Sequence, residues 1–287
     1  NDANDQNIVF NLPNTYKEIA SWAFVDLRFK DINIAASVEI IGSHAFESVD
    51  TDSITITGPV KTIECCTFRY TKCPEIVLPD TVEEIKKSAF YSSNIETFDF
   101  PTGCKYIGEM AFYNSDIETL ALPVGCISIE KWAFYETGLS GELNLPEGLE
   151  TIGKGAFSCC NLSSIVFPST LTNIDYALFC NSPNGHHGNQ VTTLRFNNIS
   201  FTDTDLVDFL TSFIVSNYIN TDLITGSYSH ISDPDYVVEI TIILPQDQTE
   251  ADILEEAFRE AWEYIMSCDF KLGQFNEDSF VYEHISD

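Results

Sequence analysis

Nine cysteines, five histidines and 44 carboxylates are the side chains with which this 287-residue chain could do chemistry. Thiolates in C-x-x-C spacing hold zinc, and cysteines brought together close disulfides. Cys65-Cys66 and Cys159-Cys160 are adjacent pairs rather than C-x-x-C sites, and the odd total leaves at least one thiol free unless chains cross-link. His186 and His187 stand side by side in the polar, Gly-flanked stretch 181–190, without a cysteine or carboxylate at ligand spacing. That setting fits solvent exposure better than a metal. His44, His230 and His284 are scattered. Asp203, Asp205 and Asp208 invite a calcium reading, but the Gly and Glu of an EF-hand loop are missing. Carboxylates in the first turn of a helix are explained by capping and the helix dipole. The chain also lacks G-x-S-x-G, a Walker loop, H-E-x-x-H and a dinucleotide glycine pattern. No catalytic residue, metal or cofactor is expected, and a hydrolase housed in the C-terminal segment stands only as a third reading behind two non-enzymatic ones.

What positions these residues is a repeat. Eight phenylalanines stand at Phe24, Phe46, Phe68, Phe90, Phe112, Phe134, Phe157 and Phe179, 22 residues apart except for one spacing of 23. Five residues before each is an isoleucine: Ile19, Ile41, Ile63, Ile85, Ile107, Ile129, Ile152 and Ile174. Ala precedes the Phe in six units, with Thr67 and Leu178 as exceptions. Eleven residues before the Phe stands Pro13, Pro79, Pro101, Pro123, Pro146 or Pro168, whereas units two and three have Ala35 and Thr57 and so exit their strands differently. Ahead of the Pro, segments such as Ile117-x-x-Leu120-x-Leu122 alternate as a strand does. A 22-residue unit cannot make a core alone, so its Ile, Phe and strand residues must be buried against the same positions in neighbouring units. The expectation is a solenoid rising about 4.8 Å per unit and on the order of 40 Å long, with eight or nine parallel strands on one side.

The repeat re-reads the cysteines. Cys104 and Cys126 fall in an apolar column with Tyr16, Val38, Val60, Val82, Leu149 and Leu171. Cys73 replaces the first strand Leu, and Cys160 shares a small-residue column with Thr71, Ser93, Ser115 and Thr137. Free cysteine packs there as a small hydrophobe. Cys104 and Cys126, one unit apart, are also at a separation compatible with a disulfide. Cysteine usage leaves the compartment open.

The L-x-x-L-x-L strand, the period, the I-x-x-x-A-F signature and the Pro that ends the strand resemble the BspA-like leucine-rich repeats of bacterial surface proteins, over about residues 8–196. The resemblance implies a leucine-rich-repeat solenoid of short parallel strands plus loops and turns. It also implies a secreted or cell-surface, adhesin-like protein that binds other proteins, including host matrix components, and no enzyme activity.

After Phe179 the next strand-like match, Leu194-x-Phe196, comes seven residues late, and the period then stops. Residues 1–197 therefore read as the solenoid and 198–287 as a small acidic α+β C-terminal cap, needed because a last coil would otherwise expose its apolar columns. The cap carries 19 acidic and 2 basic side chains. Its expected elements are a helix over 202–218 with Leu206, Leu210, Phe213 and Ile214 on one face, and a hairpin of 223–231 with 236–244. A helix over 249–267 and a last strand over 280–285 complete it.

A net charge of −30 disfavours nucleic acid and anionic membrane surfaces, and no apolar run is long enough for direct membrane insertion. The first residue is Asn1 rather than Met, so any signal peptide is expected to have been removed or never included. Two surfaces are candidates for a protein partner. On each strand, the residues flanking the middle apolar position point outward, giving a small, polar, mildly acidic face that includes Glu75, Thr97, Asp99, Thr119, Glu142 and Asn144. Tyr91, Tyr113 and Tyr135 each follow the repeat Phe and should form a three-rung ladder on one flank, which its own neighbours would partly bury. The expected function is a protein-binding module whose partner is an extracellular-matrix or host surface protein with a basic patch. The alternative is a spacer or display scaffold without its own ligand.

Overall fold

The computed structural model describes residues 8–174, 193–196, 210, 240–244, 248–267 and 280–284. The chain coils into a solenoid in which three runs of backbone hydrogen bonds link successive turns, two of them with an interruption. The first is a parallel sheet on the face expected to bind. Val9–Asn11, Asp31–Ile34, Ser53–Ile56 and Glu75–Val77 pair side by side, with Ile32, Ile54 and Ile76 in register. The second is the isoleucine edge, two-residue parallel strands that stack Ile63, Ile85, Ile107, Ile129, Ile152 and Ile174. The third passes through the phenylalanine arc, where Phe24, Phe46, Phe68, Phe90, Phe112 and Phe134 each donate the backbone N–H to the carbonyl before the next Phe, at 2.7–2.9 Å.

Phenylalanine suits the arc because a flat ring can repeat at the spacing these bonds impose. Rings from Phe24 to Phe157 stack nearly parallel with centroids 4.8–5.5 Å apart. From Phe46 to Phe157 they are fully buried. On each side of the ring the chain must turn sharply, and the residues two before and two after each Phe have left-handed φ between 51° and 66°. That conformation costs an L-residue about 1–2 kcal/mol, and it persists because the hydrogen bonds on either side leave no alternative. Only one of these positions is a glycine: at Gly155 a Cβ would lie 2.5 Å from the indole of Trp132. The small-residue column one step further on satisfies the backbone of the same bend. Ser93, Ser115 and Thr137 donate their hydroxyls to the carbonyls of Phe90, Phe112 and Phe134 at 2.8–3.0 Å.

Three departures from the period have local causes. The extra residue of the 23-residue unit is absorbed at Gly141, whose φ of +74° makes a bulge where the register of Ser140–Asn144 against Asn161–Phe167 shifts. The strand-ending Pro accepts a turn hydrogen bond from the residue three later, as at Pro79, Pro101, Pro123, Pro146 and Pro168, and Ala35 in unit two keeps this turn. Unit three does not. Pro59 stands third in Thr57-Gly58-Pro59-Val60, a position proline disfavours in such a turn, and Val60 bonds to Gly58 instead. The isoleucine edge is broken at that point, and a cleft of about 510 Å³ lies between Ile40–Ile41 and Pro59–Thr62. The third departure is in the sheet. A strand was expected in every unit, yet residues 97–100 and 119–122 have no ladder partner. In the first of these segments Phe98 and Phe100 fill the strand columns, 4.7 Å from each other, and wedge their rings among Phe90, Phe112 and Phe134 at 5.1–6.3 Å.

The sheet resumes at Ser140–Asn144 and continues through Asn161–Phe167, Thr193–Phe196, Ile240–Leu244 and Phe280–His284, all parallel. The described segments of 198–287 thus add two strands to the solenoid's own sheet. The helix expected over 249–267 is present as Gln248–Ser267, with Ala251, Leu254, Ala257 and Ala261 buried. Because Ile240–Leu244 has a parallel neighbour on both sides, no edge is left there for the expected antiparallel hairpin. Residues 223–231, the loop 181–190 with His186 and His187, and Phe179 lie outside the described residues, as does all of the helix expected over 202–218 except buried, helical Leu210. Phe112→Ala should lower the unfolding free energy by about 3–5 kcal/mol, as expected for a cavity in a closed stack, whereas Val124→Ala, at a site 78% exposed, should change it by less than about 0.5 kcal/mol. Urea titrations followed by circular dichroism measure both.

Candidate functional site

Each candidate residue is placed by its column. Glu75, Thr97, Asp99, Thr119, Glu142 and Asn144 all lie exposed on the strand face. In the first three turns this face is tied to itself: Asn33 donates to Asn11 at 3.0 Å and Ser53 to Asp31 at 2.9 Å. Asn144 likewise donates to Glu142 at 2.7 Å. Thr97, Asp99 and Thr119 differ, because they sit on the two turns whose backbone has left the ladder.

The tyrosines come together as the spacing required. Tyr91 stacks on Tyr113 at 4.9 Å and Tyr113 on Tyr135 at 4.7 Å, with interplanar angles of 5° and 12°. All three are half-buried, and burial is the main cause that raises the pKa of the Tyr113 hydroxyl. The same column supplies what precedes them. Arg69 lies 5.3 Å from the ring centre of Tyr91 and 4.5 Å from that of Tyr70, and its Nη1 is 3.9 Å from Glu47.

Between the strand face and the tyrosine flank runs a cleft of about 530 Å³, lined by Glu96, Ser115, Asp116, Glu118, Glu136 and Thr137 among others. These four carboxylates were not singled out by sequence reasoning, which considered only the strand positions that point outward. The signal was available in the register. The columns that carry Glu96, Asp116 and Glu118 hold cations beside the acids in the earlier turns, Arg28, Lys30 and Lys72 with Asp50 and Asp52, and Arg28 lies 3.5 Å from Asp50. Elsewhere an acid is matched by a cation one turn away, as in Lys17–Glu39, Lys86–Glu64 and Lys87–Glu109. Glu83 is held from both sides by Lys61 and Lys105 at 2.9 Å, and these hydrogen bonds push its pKa down to about 2. Glu96, Asp116, Glu118 and Glu136 make no ion pair among the described residues.

Cys159 lines this cleft, whereas four other cysteines are sealed in the core. Cys73, Cys104, Cys126 and Cys160 are buried free thiols, and burial pushes each up to about 12. Cys104 and Cys126 pack in the apolar column, while Cys160 approaches the Thr137 hydroxyl and the Phe134 carbonyl at 3.2 Å. No group of three or more His, Cys, Asp or Glu side chains able to hold a metal occurs among the described residues. A thiol must ionise to react, so maleimide labelling of the native protein at pH 8 should leave these four cysteines unmodified. The same treatment in guanidinium should modify all four, with peptide mass spectrometry as the readout.

A profile of the BspA type leucine-rich repeat region matches in 6 copies, over residues 3–118, 61–186 and 105–217. No curated protein matches the sequence. Among solved structures, a leucine-rich cell surface protein of Faecalibacterium prausnitzii is 20% identical with a TM-score of 0.35, covering 65% of this chain and 72% of the other. A leucine-rich repeat protein of Bacteroides ovatus is 16% identical with a TM-score of 0.36, covering 97% and 92%. The pneumococcal vaccine antigen PcpA is 14% identical with a TM-score of 0.34, covering 98% and 90%.

Proposed function

We propose that this chain, which belongs to the BspA type leucine-rich repeat family, is a non-enzymatic, adhesin-like module at the bacterial surface or secreted from it. Its partner is a protein, of the extracellular matrix or a host surface, carrying a basic patch. The observation that carries the reading is the convergence of three features on turns four to six. The unladdered strand face contributes Thr97, Asp99 and Thr119, the flank contributes the stack Tyr91–Tyr113–Tyr135, and the cleft between them contributes four carboxylates without ion pairs. Glu142 and Asn144 border this region on the strand that follows Tyr135, and Glu75 on the strand that precedes Tyr91.

The chemistry of each part favours a cationic side chain. Carboxylates without a counter-ion attract lysine and arginine over a Debye length of about 8–10 Å at physiological salt. Tyrosine rings at the rim offer cation–π contacts worth about 0.5–1 kcal/mol where exposed. A spacer or display scaffold is the second reading, and it is favoured by the first three turns, whose outward side chains satisfy one another.

Biolayer interferometry of the chain against a panel of extracellular-matrix and cell-surface proteins at physiological salt tests the proposal. Binding to a basic member of the panel is expected to weaken as salt rises. Reversing Asp99, Asp116 and Glu118 together to Lys should weaken it more than about tenfold, a loss of about 1.4 kcal/mol. Binding that survives this triple reversal, or a panel without any ligand, would contradict the proposal, and the second outcome would leave the scaffold.

A further inference from the structure

We infer that the step between the second turn, with Ile41 and Phe46, and the third, with Ile63 and Phe68, is a hinge. It opens and closes along the isoleucine edge while the other two lines of bonds stay made. The step lies apart from turns four to six and does not depend on the function proposed for them.

Neighbouring steps of this edge follow one pattern. Glu39, Ile40 and Gly42 donate their amides to the carbonyls of Lys17 and Ile19, and Glu83, Glu84 and Lys86 donate to those of Lys61 and Ile63. Between turns two and three all three bonds are missing. The amides of Lys61, Thr62 and Glu64 and the carbonyls of Glu39 and Ile41 have no such partner among the described residues. An outward column shows the same gap in its ion pairs. It reads Lys17, Glu39, Lys61, Glu83, Lys105, with opposite charges in strict alternation. Lys17–Glu39, Lys61–Glu83 and Glu83–Lys105 pair at 2.6–2.9 Å, and only Glu39–Lys61 does not.

Pro59 is what holds the step open. At the same position of their turns, Ser37, Thr81 and Thr170 donate a hydroxyl to the carbonyl of Tyr16, Val60 or Leu149 in the turn before, at 2.6–2.9 Å. Proline has no such hydroxyl, and the corresponding carbonyl of Val38 lies instead against Gly58, where a Cβ would be 1.9 Å away. The other two lines cross the step intact. His44 and Phe46 donate to Cys65 and Thr67 at 3.1 and 2.9 Å, and Asp31–Ile34 pairs with Ser53–Ile56. These bonds keep a partner strand from entering the gap, which would need about twice the 4.8 Å between paired strands. They leave a pivot, with movement confined to the edge that borders the cleft of about 510 Å³. Both arrangements of the pivot are provided for. The open one has the Pro59 turn, and the closed one has the geometry of the neighbouring steps. Closing makes the three amide bonds and the Glu39–Lys61 pair, so that five alternating charges become one continuous ladder.

Nitrogen-15 relaxation dispersion on the intact chain is the test, because hinge motions fall in the microsecond-to-millisecond range that it reads. Amides of Ile40, Ile41, Lys61, Thr62 and Glu64 are expected to disperse with one shared exchange rate. Those of Glu84, Ile85, Tyr106 and Ile107, on bonded steps, should stay flat. Pro59→Thr puts back the residue type that Thr81 and Thr170 supply, and should hold the step closed. Dispersion then disappears, and hydrogen exchange at Lys61, Thr62 and Glu64 slows more than about tenfold. Lys61→Glu sets three acids in a row and should hold the step open, so dispersion disappears while exchange at Thr62 and Glu64 stays fast. Thermal melting shows that each variant is folded. Flat profiles at this step in the unsubstituted chain, or dispersion that persists unchanged in both variants, would overturn the inference.

Discussion

The constraint on which the rest of this structure depends is the distance that backbone hydrogen bonds set between successive turns. The phenylalanine arc bonds every turn from Phe24 to Phe157 to the next, the strand face and isoleucine edge do so outside one interruption each, and parallel backbones held in this way lie about 4.8 Å apart. Every side chain therefore has its own counterpart at that distance, and only residues that pack on themselves can fill an inward column. Isoleucine does so by interdigitation. Phenylalanine does so by near-parallel stacking, with centroids 4.8–5.5 Å apart, and this sets the flat arc with a left-handed residue at each shoulder. Outward columns obey the same spacing with different results. Opposite charges one turn apart form Lys17–Glu39 and Lys61–Glu83–Lys105, and three tyrosines one turn apart form a ladder.

Where one residue breaks the rule, the structure answers locally. Gly141 takes up an extra residue as a bulge without disturbing the columns on either side. Pro59 exchanges one tight turn for another and opens the isoleucine edge. Phe98 and Phe100 put rings in both strand columns of one turn, where Phe10, Phe167 and Phe196 each put one, and the sheet is interrupted across the turns that also hold Tyr91, Tyr113 and the acidic cleft. A one-dimensional fold permits this, because each turn touches only its neighbours and an irregularity does not propagate. The surface features that could serve a partner are concentrated at one such irregularity.

Most of the fold was legible in the sequence, because in a repeat the register is visible as spacing. Ile107 and Phe112 are fully buried, Cys104 and Cys126 sit in the apolar column, and the tyrosine ladder has the rungs its spacing required. What could not be read depends on competition between a column and its local chemistry. Ala35 and Thr57 both replace the usual Pro, yet only the second changes its turn, because Pro59 follows it. The antiparallel hairpin expected near 236–244 rested on a Pro-containing turn signal. Parallel pairing of Ile240–Leu244 on both sides prevailed, so that the strand extends the solenoid's own sheet. The acidic cleft was missed because it joins three different columns, and its missing counter-ions emerge only when those columns are compared along the whole solenoid.

Amide hydrogen exchange followed residue by residue tests the central claim most directly, since it reads the inter-turn bonds themselves. The account places the amides of Phe46, Phe68, Phe90, Phe112 and Phe134, each bonded to the next turn, in one slowest-exchanging class that opens only with global unfolding. Amides of Thr97, Asp99, Thr119 and Ala121, on backbone outside the ladder, should exchange orders of magnitude faster. Rapid exchange at the phenylalanine amides, or protection of the 97–100 and 119–122 segments equal to theirs, would contradict it.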